Sequence, residues 1–413
     1  MAKALTDGWF AIGSGPDDPV RRMKISEIEL HEFTYRIEDV GARPDGELVY
    51  VPDSSVEPPG YVLTIRTDDG TEGHYRAHMW TKVGIAQIKA VASKFLIGRD
   101  PLNRTAIWHD LRRQLRHTDH NALGAIDNAL WDLAGKHFEA SVSTLLGGRV
   151  RDRVPAYAST MSGNPERDPP ERYAAFAAEC RDRGYPAFKI HPHGDPEADI
   201  DICRAVAERV GDEMDLMLDP SSCYGSFEEA VRVGKVLDEL DFLWYEDPLR
   251  DTGDSVYAMR RLAEEIETPI LGIEQSRTEP FGAFTHLTND ALEMVRVDAH
   301  LGGGLTSAQK ICHTVETAGM DVEPHVGGPE HLHLASTLRN AHYFEHGLLH
   351  PEVGFEWYND QGYVGEVEVI DDEGRIEVPD GPGMGVDIDW DFVEDRLTDH
   401  VIIDASDDTD SFP

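Results

Sequence analysis

Cysteine is scarce in this chain of 413 residues, and its placement argues against two common kinds of site. The cysteines Cys180, Cys203, Cys223 and Cys312 form no CxxC pair, so the sequence offers neither a zinc-type motif nor a disulfide framework. No apolar run approaches the length of a membrane span. Residues 1–18 lack the basic segment and apolar core of a secretory signal. These absences predict a cytoplasmic protein that does not enter a membrane.

Positive charge is also in short supply. The chain has nine lysines, and 38 Lys plus Arg face 78 Asp plus Glu, which gives a formal net charge of −40. A field of that sign repels nucleic acid and anionic membranes. Because the acids are spread along the chain, they predict a hydrated surface suited to the strong screening of high salt, as in a halophilic protein.

The length of the chain predicts two domains, and a change in the spacing of apolar runs near Gly148 marks their boundary. Before that point, strand-like alternation at 24–37 and 61–66 is followed by three amphipathic helical stretches, at 83–98, 103–115 and 121–138. Residues 38–60 contain four prolines and are expected to form a long loop. The first part of the chain is therefore expected to be an α+β domain.

After Gly148, short apolar runs recur with amphipathic stretches between them. The strand candidates are 154–159, 187–191, 215–219, 242–246, 270–274, 294–298, 321–325 and 342–345. Eight such units are what a parallel β/α barrel needs. From Gly354 the chain alternates again at 362–369 and is expected to rejoin the first domain, while residues 396–413 are acidic and expected to fray.

Three carboxylates end successive strand candidates of the predicted barrel. Asp219, Glu246 and Glu274 are spaced by 27 and 28 residues, which suits one strand plus one helix. Because the carboxyl ends of barrel strands open onto one face, these acids are expected to lie side by side. Such a cluster repels itself unless it holds a divalent cation, and Mg²⁺ prefers oxygen ligands. The spacing predicts a Mg²⁺ site.

Candidate proton-transfer residues flank this predicted site. Lys189 and His191 are two apart on one strand and so share a face. Asp298 and His325 end neighbouring strands, where a carboxylate can orient an imidazole and raise its basicity. Glu345, near the eighth strand, is a further inward acid, although Glu352 fits the same description.

Two proton-transfer groups around a Lewis acid suit the removal of a proton α to a carboxylate, because a metal can stabilise the charge that develops. No Ser or Cys nucleophile with triad partners is evident in the sequence. Gly302–Gly304 lacks the spacing of a phosphate loop. This segment is equally consistent with a flexible turn and with a place where a ligand approaches the backbone closely.

Taken together, these residues resemble the enolase superfamily, in its mandelate racemase-like branch. The similarity runs from about Lys24 to Val386 and includes the segments Asp127–Asp132 and Leu145–Gly148. It implies a (β/α)₇β TIM-like barrel with an α+β capping domain, in which the loop 38–60 closes on the substrate. A Lys or His base acting with Mg²⁺ is a known property of the superfamily. The implied division is a loose arm 1–22, a capping domain 23–150, a barrel 151–353, a return to the cap 354–395 and an acidic tail 396–413.

The resemblance also implies roles for residues. Asp219, Glu246 and Glu274 match the metal ligands, Asp298 and His325 the Asp/His dyad, and Glu345 the glutamate that hydrogen-bonds the substrate carboxylate. Two positions depart from the family pattern: His191 replaces the usual second lysine, and Ser221 replaces a frequent asparagine. A histidine titrates near pH 6.5 against about 10.4 for lysine, so His191 can act as base or acid.

By analogy with its members, the resemblance implies an acid-sugar dehydratase that converts an aldonate or aldarate to a 2-keto-3-deoxy acid, with a small-molecule sugar acid as partner and a homo-oligomeric assembly. His325 is the favoured acid and the Lys189/His191 side the favoured base, with the reverse also open. The alternatives are a racemase or epimerase, a lactone cycloisomerase, and a non-catalytic Mg²⁺-binding regulatory homologue.

Overall fold

The computed structural model describes residues 23–43, 46–77, 81–274, 279–354 and 362–406. The predicted loose arm, 1–22, and the last part of the acidic tail, 407–413, lie outside the described residues. Within those described ranges, no helix is both long enough and apolar enough to cross a membrane.

The first part of the chain builds antiparallel strands and then helices. The strands are β1 (Ile25–Thr34), β2 (Ile37–Ala42), β3 (Leu48–Val56), β4 (Pro59–Thr67) and β5 (Glu72–Ala77). The helices are α1 (Thr81–Phe95), α2 (Arg104–Gln114), α3 (Asn121–His137) and the short α4 (Val142–Leu145). One apolar cluster joins β1, β4 and β5 to α1, α2 and α3, because the strands alternate buried and half-buried residues while each helix turns an apolar face to the sheet.

The second part of the chain alternates strands and helices. The strands are β6 (Arg153–Thr160), β7 (Ala187–Ile190), β8 (Asp215–Leu218), β9 (Trp244–Glu246), β10 (Ile270–Gly272), β11 (Met294–Val297), β12 (Asp321–Pro324) and β13 (Phe344–Leu349). The helices between them are α5 (Pro170–Asp182), α6 (Pro196–Val210), α7 (Phe227–Glu239), α8 (Val256–Ala263), α9 (Pro280–Leu287), α10 (Leu305–Thr317) and α11 (Pro329–Thr337). The order confirms the predicted (β/α)₇β architecture.

These eight strands form one curled parallel sheet in the order β12-β11-β10-β9-β8-β7-β6-β13. Each end strand bonds a segment that adjoins the other: Val322 N–H of β12 donates to the Asn340 carbonyl before β13 (2.8 Å), and Gly327 N–H, beyond β12, donates to the Glu345 carbonyl of β13 (3.2 Å). Side chains such as Tyr157, Met217 and Trp244 pack together in one buried cluster. The residues that end the strands lie at the carboxyl-end face of the sheet.

The C-terminal part adds β14 (Arg375–Glu377), α12 (Trp390–Asp395) and β15 (Leu397–Asp404). β14 pairs antiparallel with β6, whereas β15 pairs with β1 and completes a sheet in the order β15-β1-β4-β5. The prediction that 396–413 frays is wrong for 397–404, because the outer edge of β1 pairs with this segment from Phe33 back to Glu27. The predicted alternation at 362–369 is also wrong, since only Tyr363 forms a bridge there, to Ile388.

The predicted long loop at 38–60 is a β-hairpin. β2 and β3 pair antiparallel from Ile37–Val56 to Ala42–Leu48, with a bulge near Glu38. Residues 44–45 lie outside the described residues, but Val49 bridges Ser162 and the Ser162 hydroxyl donates to Glu47 (3.1 Å). The hairpin therefore reaches the barrel just beyond β6, although its prolines and glycines had predicted no regular structure.

Helix α3 connects the cap to the barrel through buried polar contacts. Asn128 donates to the Ala299 carbonyl (2.9 Å) and accepts from Leu305 N–H (3.0 Å), while Asp127 accepts from Thr306 N–H (2.7 Å). Gly304 has φ +90°, and a Cβ on it would lie 2.4 Å from the Asp127 Cβ. The glycines at 302–304 thus allow the loop before α10 to approach α3.

Substituting Gly304 with alanine is expected to destabilise the protein by more than the backbone strain at its positive φ would cost by itself. A residue other than glycine is strained at this φ, and the added methyl group would also collide with Asp127. Overpacking of this kind costs about 1–3 kcal/mol. Gly319→Ala is the matched control, because Gly319 also has positive φ (+77°) but has nothing within 4 Å. Chemical denaturation should show the larger loss for Gly304→Ala; equal losses would mean that the contact with Asp127 contributes nothing.

Candidate active site

The structure brings the three predicted metal ligands together at the carboxyl ends of β8, β9 and β10. Asp219 directly follows β8, Glu246 is the last residue of β9, and Glu274 lies two residues beyond β10. One carboxylate oxygen from each lies within 4.8 Å of the others, and Asp219 and Glu246 are buried. An all-oxygen donor set at this spacing is the kind that a hard divalent cation such as Mg²⁺ prefers.

Lys189 lies among carboxylates at the end of β7. Its Nζ is 3.1 Å from Asp219 Oδ2, 3.1 Å from Glu246 Oε2 and 2.8 Å from Glu345 Oε1. Burial alone would lower the pKa of the ammonium, but attraction to Glu246, Glu345 and Asp219 outweighs it and raises the pKa well above its usual range. Lys189 is therefore a fixed positive charge at this site.

His191 lies beside the same acids, just beyond β7. Its Nε2 is 3.0 Å from Asp219 Oδ2. Burial lowers the pKa of this imidazole, but the attraction of Asp219 overcomes that effect and the pKa is raised. A histidine thus occupies the position where the resemblance implies a lysine, with its imidazole directed at a candidate metal ligand.

Asp298 and His325 form the predicted dyad. The two side chains meet at 2.6 Å between Oδ2 and Nδ1, and the backbone N–H groups of His300 and Leu301 donate to Asp298 Oδ1, both at 2.5 Å. Although burial raises the pKa of Asp298, its bond to His325 lowers it well below the usual range. His325 Nε2 lies 3.2 Å from Glu274 Oε1, so this second imidazole contacts the acid cluster from the side opposite to His191.

Glu345, on β13, is part of the site. Its Oε1 accepts from the Ser159 hydroxyl (2.7 Å), and Lys189, Arg296 and His325 lower its pKa against the effect of burial. Glu352, the alternative weighed from the sequence, instead bonds Arg172 at 3.0 Å with a largely exposed side chain.

Arg296 is a site residue that the sequence analysis missed. It is fully buried on β11; its Nε donates to Glu246 Oε1 (2.6 Å), its Nη2 donates to Glu246 Oε2, and its Nη1 donates to the Tyr157 hydroxyl (3.2 Å). The sequence could have indicated it, because Arg296 lies two residues before Asp298 and alternate residues of a strand share a face. Arg296 therefore fixes both oxygens of one candidate ligand.

Two further side chains support the site without lining it. Asp247 accepts from Ile273 N–H (3.0 Å) and Glu274 N–H (2.9 Å), and burial with repulsion from Glu246 raises its pKa to about 7. His331, at the start of α11, accepts from Ala299 N–H (2.8 Å) and donates to the Gly327 carbonyl (2.6 Å). They hold the backbone around Glu274 and just beyond Asp298.

The charges around the cluster leave an excess of negative charge. Lys189 and Arg296 are its permanent cations, and they face five buried or nearly buried carboxyl groups, those of Asp219, Glu246, Glu274, Asp298 and Glu345. Burial and then repulsion from Glu246 and Asp219 raise the pKa of Glu274 well above normal. A divalent cation would relieve this repulsion, so the residues present fit a metal site.

The fold and this site together define a capped parallel barrel with an acidic centre at the carboxyl ends of its strands. Residues 172–392 match the family described as enolase C-terminal domain-like, and residues 54–147 match the mandelate racemase / muconate lactonizing enzyme N-terminal domain. The chain therefore belongs to the enolase superfamily, in its mandelate racemase-like branch, which confirms the resemblance.

Individual relatives have modest sequence identity but long coverage. The chain is 31% identical over 356 residues to a D-galactarolactone cycloisomerase of Agrobacterium fabrum, spanning 82% of this chain and 91% of that protein. It is 27% identical to an arabinonate dehydratase of Saccharolobus solfataricus, spanning 88% and 96%. The crystal structure of a D-glucarate dehydratase from Agrobacterium tumefaciens complexed with magnesium superposes with a TM-score of 0.84 at 30% identity, covering 92% of this chain and all of that one.

Proposed function

We propose that this protein is a Mg²⁺-dependent acid-sugar dehydratase that converts an aldonate or aldarate to a 2-keto-3-deoxy acid. The observation that carries the proposal is the placement of two imidazoles on opposite sides of one carboxylate cluster, with His191 on Asp219 and His325 on Glu274. Relatives named as dehydratases, at 27% and 30% identity, support the same reaction class.

Asp219, Glu246 and Glu274 would hold the Mg²⁺ ion. When bound, Mg²⁺ supplies a Lewis acid that stabilises the negative charge developing on the substrate carboxylate after loss of the α proton. Arg296 orients Glu246 through both oxygens, and the Asp247 carboxylate fixes the backbone that presents Glu274. These supports keep the ligands in place before substrate arrives.

The two imidazoles divide the proton transfers between them. His191 takes the α proton, because the protons of the neighbouring Lys189 are held by three carboxylates. His325 donates its Nε2 proton to the β-hydroxyl as the Cβ–O bond breaks, and water leaves. Asp298 holds the Nδ1 proton of His325, which directs Nε2 into the site. The enol product then gains a proton at Cβ and loses its hydroxyl proton to become the 2-keto acid.

Lys189 would position the substrate carboxylate, and Glu345, held in turn by Ser159, would orient the Lys189 ammonium. Lys189 supplies a permanent charge, and Glu345 is held by the Ser159 hydroxyl and by Lys189 at distances of 2.7 and 2.8 Å. A substrate held in this way has its α carbon between the imidazoles, and such positioning is a large part of catalysis.

A panel of aldonates and aldarates, incubated with the enzyme and Mg²⁺ and assayed for 2-keto acid, tests this function. At least one acid should give a product lighter than its substrate by one water, and removal of Mg²⁺ by a chelator should stop its formation. Exchange of the α proton with solvent deuterium without keto acid would instead indicate a racemase or epimerase. Bound Mg²⁺ without turnover or exchange on any acid would indicate a non-catalytic homologue.

Lactone cycloisomerisation is a second candidate, because the relative with 31% identity carries that name. The same site would remove the proton α to the carboxylate, but the leaving group would be the ring oxygen of a lactone. The product would then have the mass of its substrate. Mass spectrometry of reactions with aldarolactones beside the open acids separates the two candidates.

A further inference from the structure

A second cluster of metal-ligand side chains lies on the cap sheet, away from the acids at the barrel strand ends. Glu29 and His31 are two residues apart on β1, and His400 lies directly opposite His31 on β15. One potential ligand atom from each residue lies within 4.8 Å of the others. Glu29 Oε1 is 2.7 Å from His400 Nε2 and 3.7 Å from His31 Nε2, so both imidazoles point their Nε2 atoms at one carboxylate oxygen.

We propose that Glu29, His31 and His400 bind one divalent transition-metal ion, of which Zn²⁺ is the best fit, and that this ion clamps β15 to β1. Two imidazoles and a carboxylate form a set that suits Zn²⁺ and its neighbours, in contrast to the all-oxygen cluster of the barrel. Three protein ligands leave room for water at the remaining position.

Neighbouring aromatic rings fix the orientation of the side chains in this cluster. The rings of His31 and His400 stack with centroids 4.3 Å apart, and Trp390 contacts the His31 ring edge-on at 5.0 Å. These contacts restrict the rotation of both imidazoles. The side chains of Glu29 and His31 are only 14% and 12% exposed, whereas His400 is 38% exposed, so an ion can enter from the His400 side.

The charges near the cluster are compatible with a cation. Arg66 Nη1 lies 3.4 Å from Glu29 Oε2, but Arg66 also pairs with Glu27 and Glu72. The carboxylate of Glu394, on α12, adds a further attraction at His31.

A clamp at this place would act on a strand with little other side-chain support. Of the residues of β15, Ile403 alone is buried, and Leu397–His400 are exposed. The strand is held mainly by its backbone ladder to β1. Metal ligands on both strands would therefore raise the free energy of opening this edge of the cap, since an ion that binds only the closed form stabilises it by mass action.

Hydrogen exchange on protein without a polyhistidine tag tests the proposal. The protein is stripped with a chelator and kept in excess Mg²⁺, so that the barrel acids are occupied, and Zn²⁺ is then titrated. We expect one Zn²⁺ per chain by calorimetry, and amide exchange in 397–404 slowed about 100-fold when free Zn²⁺ is 100 times its Kd. His400→Asn should lose both effects, while the exposed His313→Asn on α10 should keep them.

Two results would overturn the proposal: Zn²⁺ binding that is equally tight in His400→Asn, or unchanged exchange in 397–404 with Zn²⁺ bound to the unaltered chain. The first would place the ion elsewhere, and the second would leave these side chains as an ordinary hydrogen-bonded group. Glu29→Gln serves as a second variant, because it removes the shared oxygen charge while keeping the size of the side chain. It should weaken Zn²⁺ binding at least tenfold without changing the affinity for Mg²⁺.

Discussion

Replacing His325 with asparagine is expected to lower keto-acid formation by about 10²- to 10⁴-fold, the usual contribution of a general acid. The asparagine amide can still donate to Asp298 in place of Nδ1, but nothing replaces Nε2, which lies 3.2 Å from Glu274 Oε1. Because His191 remains to take the α proton, solvent-deuterium exchange at Cα should persist. Keto-acid assay and mass spectrometry of recovered substrate measure the two effects separately.

Two variants complete this experiment. His191→Asn should lose both exchange and keto acid, and His313→Asn, on the exposed face of α10, should keep both. The opposite pattern, in which His325→Asn abolishes deuterium exchange while His191→Asn retains it, would mean that His325 is the base and His191 the acid. Full activity in His325→Asn would remove this residue from the mechanism.

Glu246→Gln is expected to weaken Mg²⁺ binding by about 100-fold or more. Loss of a residue that merely supports a metal ligand typically costs 10- to 100-fold in affinity, so loss of a charged ligand should cost at least as much. The substitution also leaves the buried Arg296 without its bidentate partner. Breaking a buried ion pair in this way typically costs about 3–5 kcal/mol of stability. Calorimetric titration of Mg²⁺ into folded protein, with the melting temperature recorded alongside, measures both consequences.

A second buried glutamate separates the metal effect from general destabilisation. Glu323, on β12, accepts from His342 N–H at 2.9 Å and from Tyr343 N–H at 3.2 Å, just before β13. Glu323→Gln should lower the melting temperature without changing the Mg²⁺ affinity. If Glu246→Gln keeps the original affinity, Glu246 is not a metal ligand.

The barrel was predictable because its strand ends repeat. Asp219, Glu246 and Glu274 each follow a short apolar run at a spacing of one strand and one helix, and parallel strands place such residues on one face. The same reasoning could have predicted Arg296, because it lies two residues before Asp298 and so shares its face of the strand. Asp247 was not predictable, because its role depends on the backbone at Ile273, which has a φ of +76°, and on N–H groups that no sequence pattern displays.

The cap was harder to predict because its strands are stabilised by distant partners. Leu397–Asp404 is mostly exposed and half of its residues are polar, so pairing with β1 supplies order that its own sequence signals only weakly. The hairpin β2–β3 contains prolines and a bulge, so its alternation is weak. In both segments, tertiary pairing overrides local propensity.

The cap sheet joins the two ends of the described chain, and this has a consequence for synthesis on the ribosome. The Thr398 hydroxyl donates to the Glu32 carbonyl across 366 residues of sequence. Throughout translation of the barrel, the outer edge of β1 therefore has no β15 to pair with, and an open strand edge can recruit other chains. Nascent protein should be most vulnerable to misassociation before β15 has left the exit tunnel.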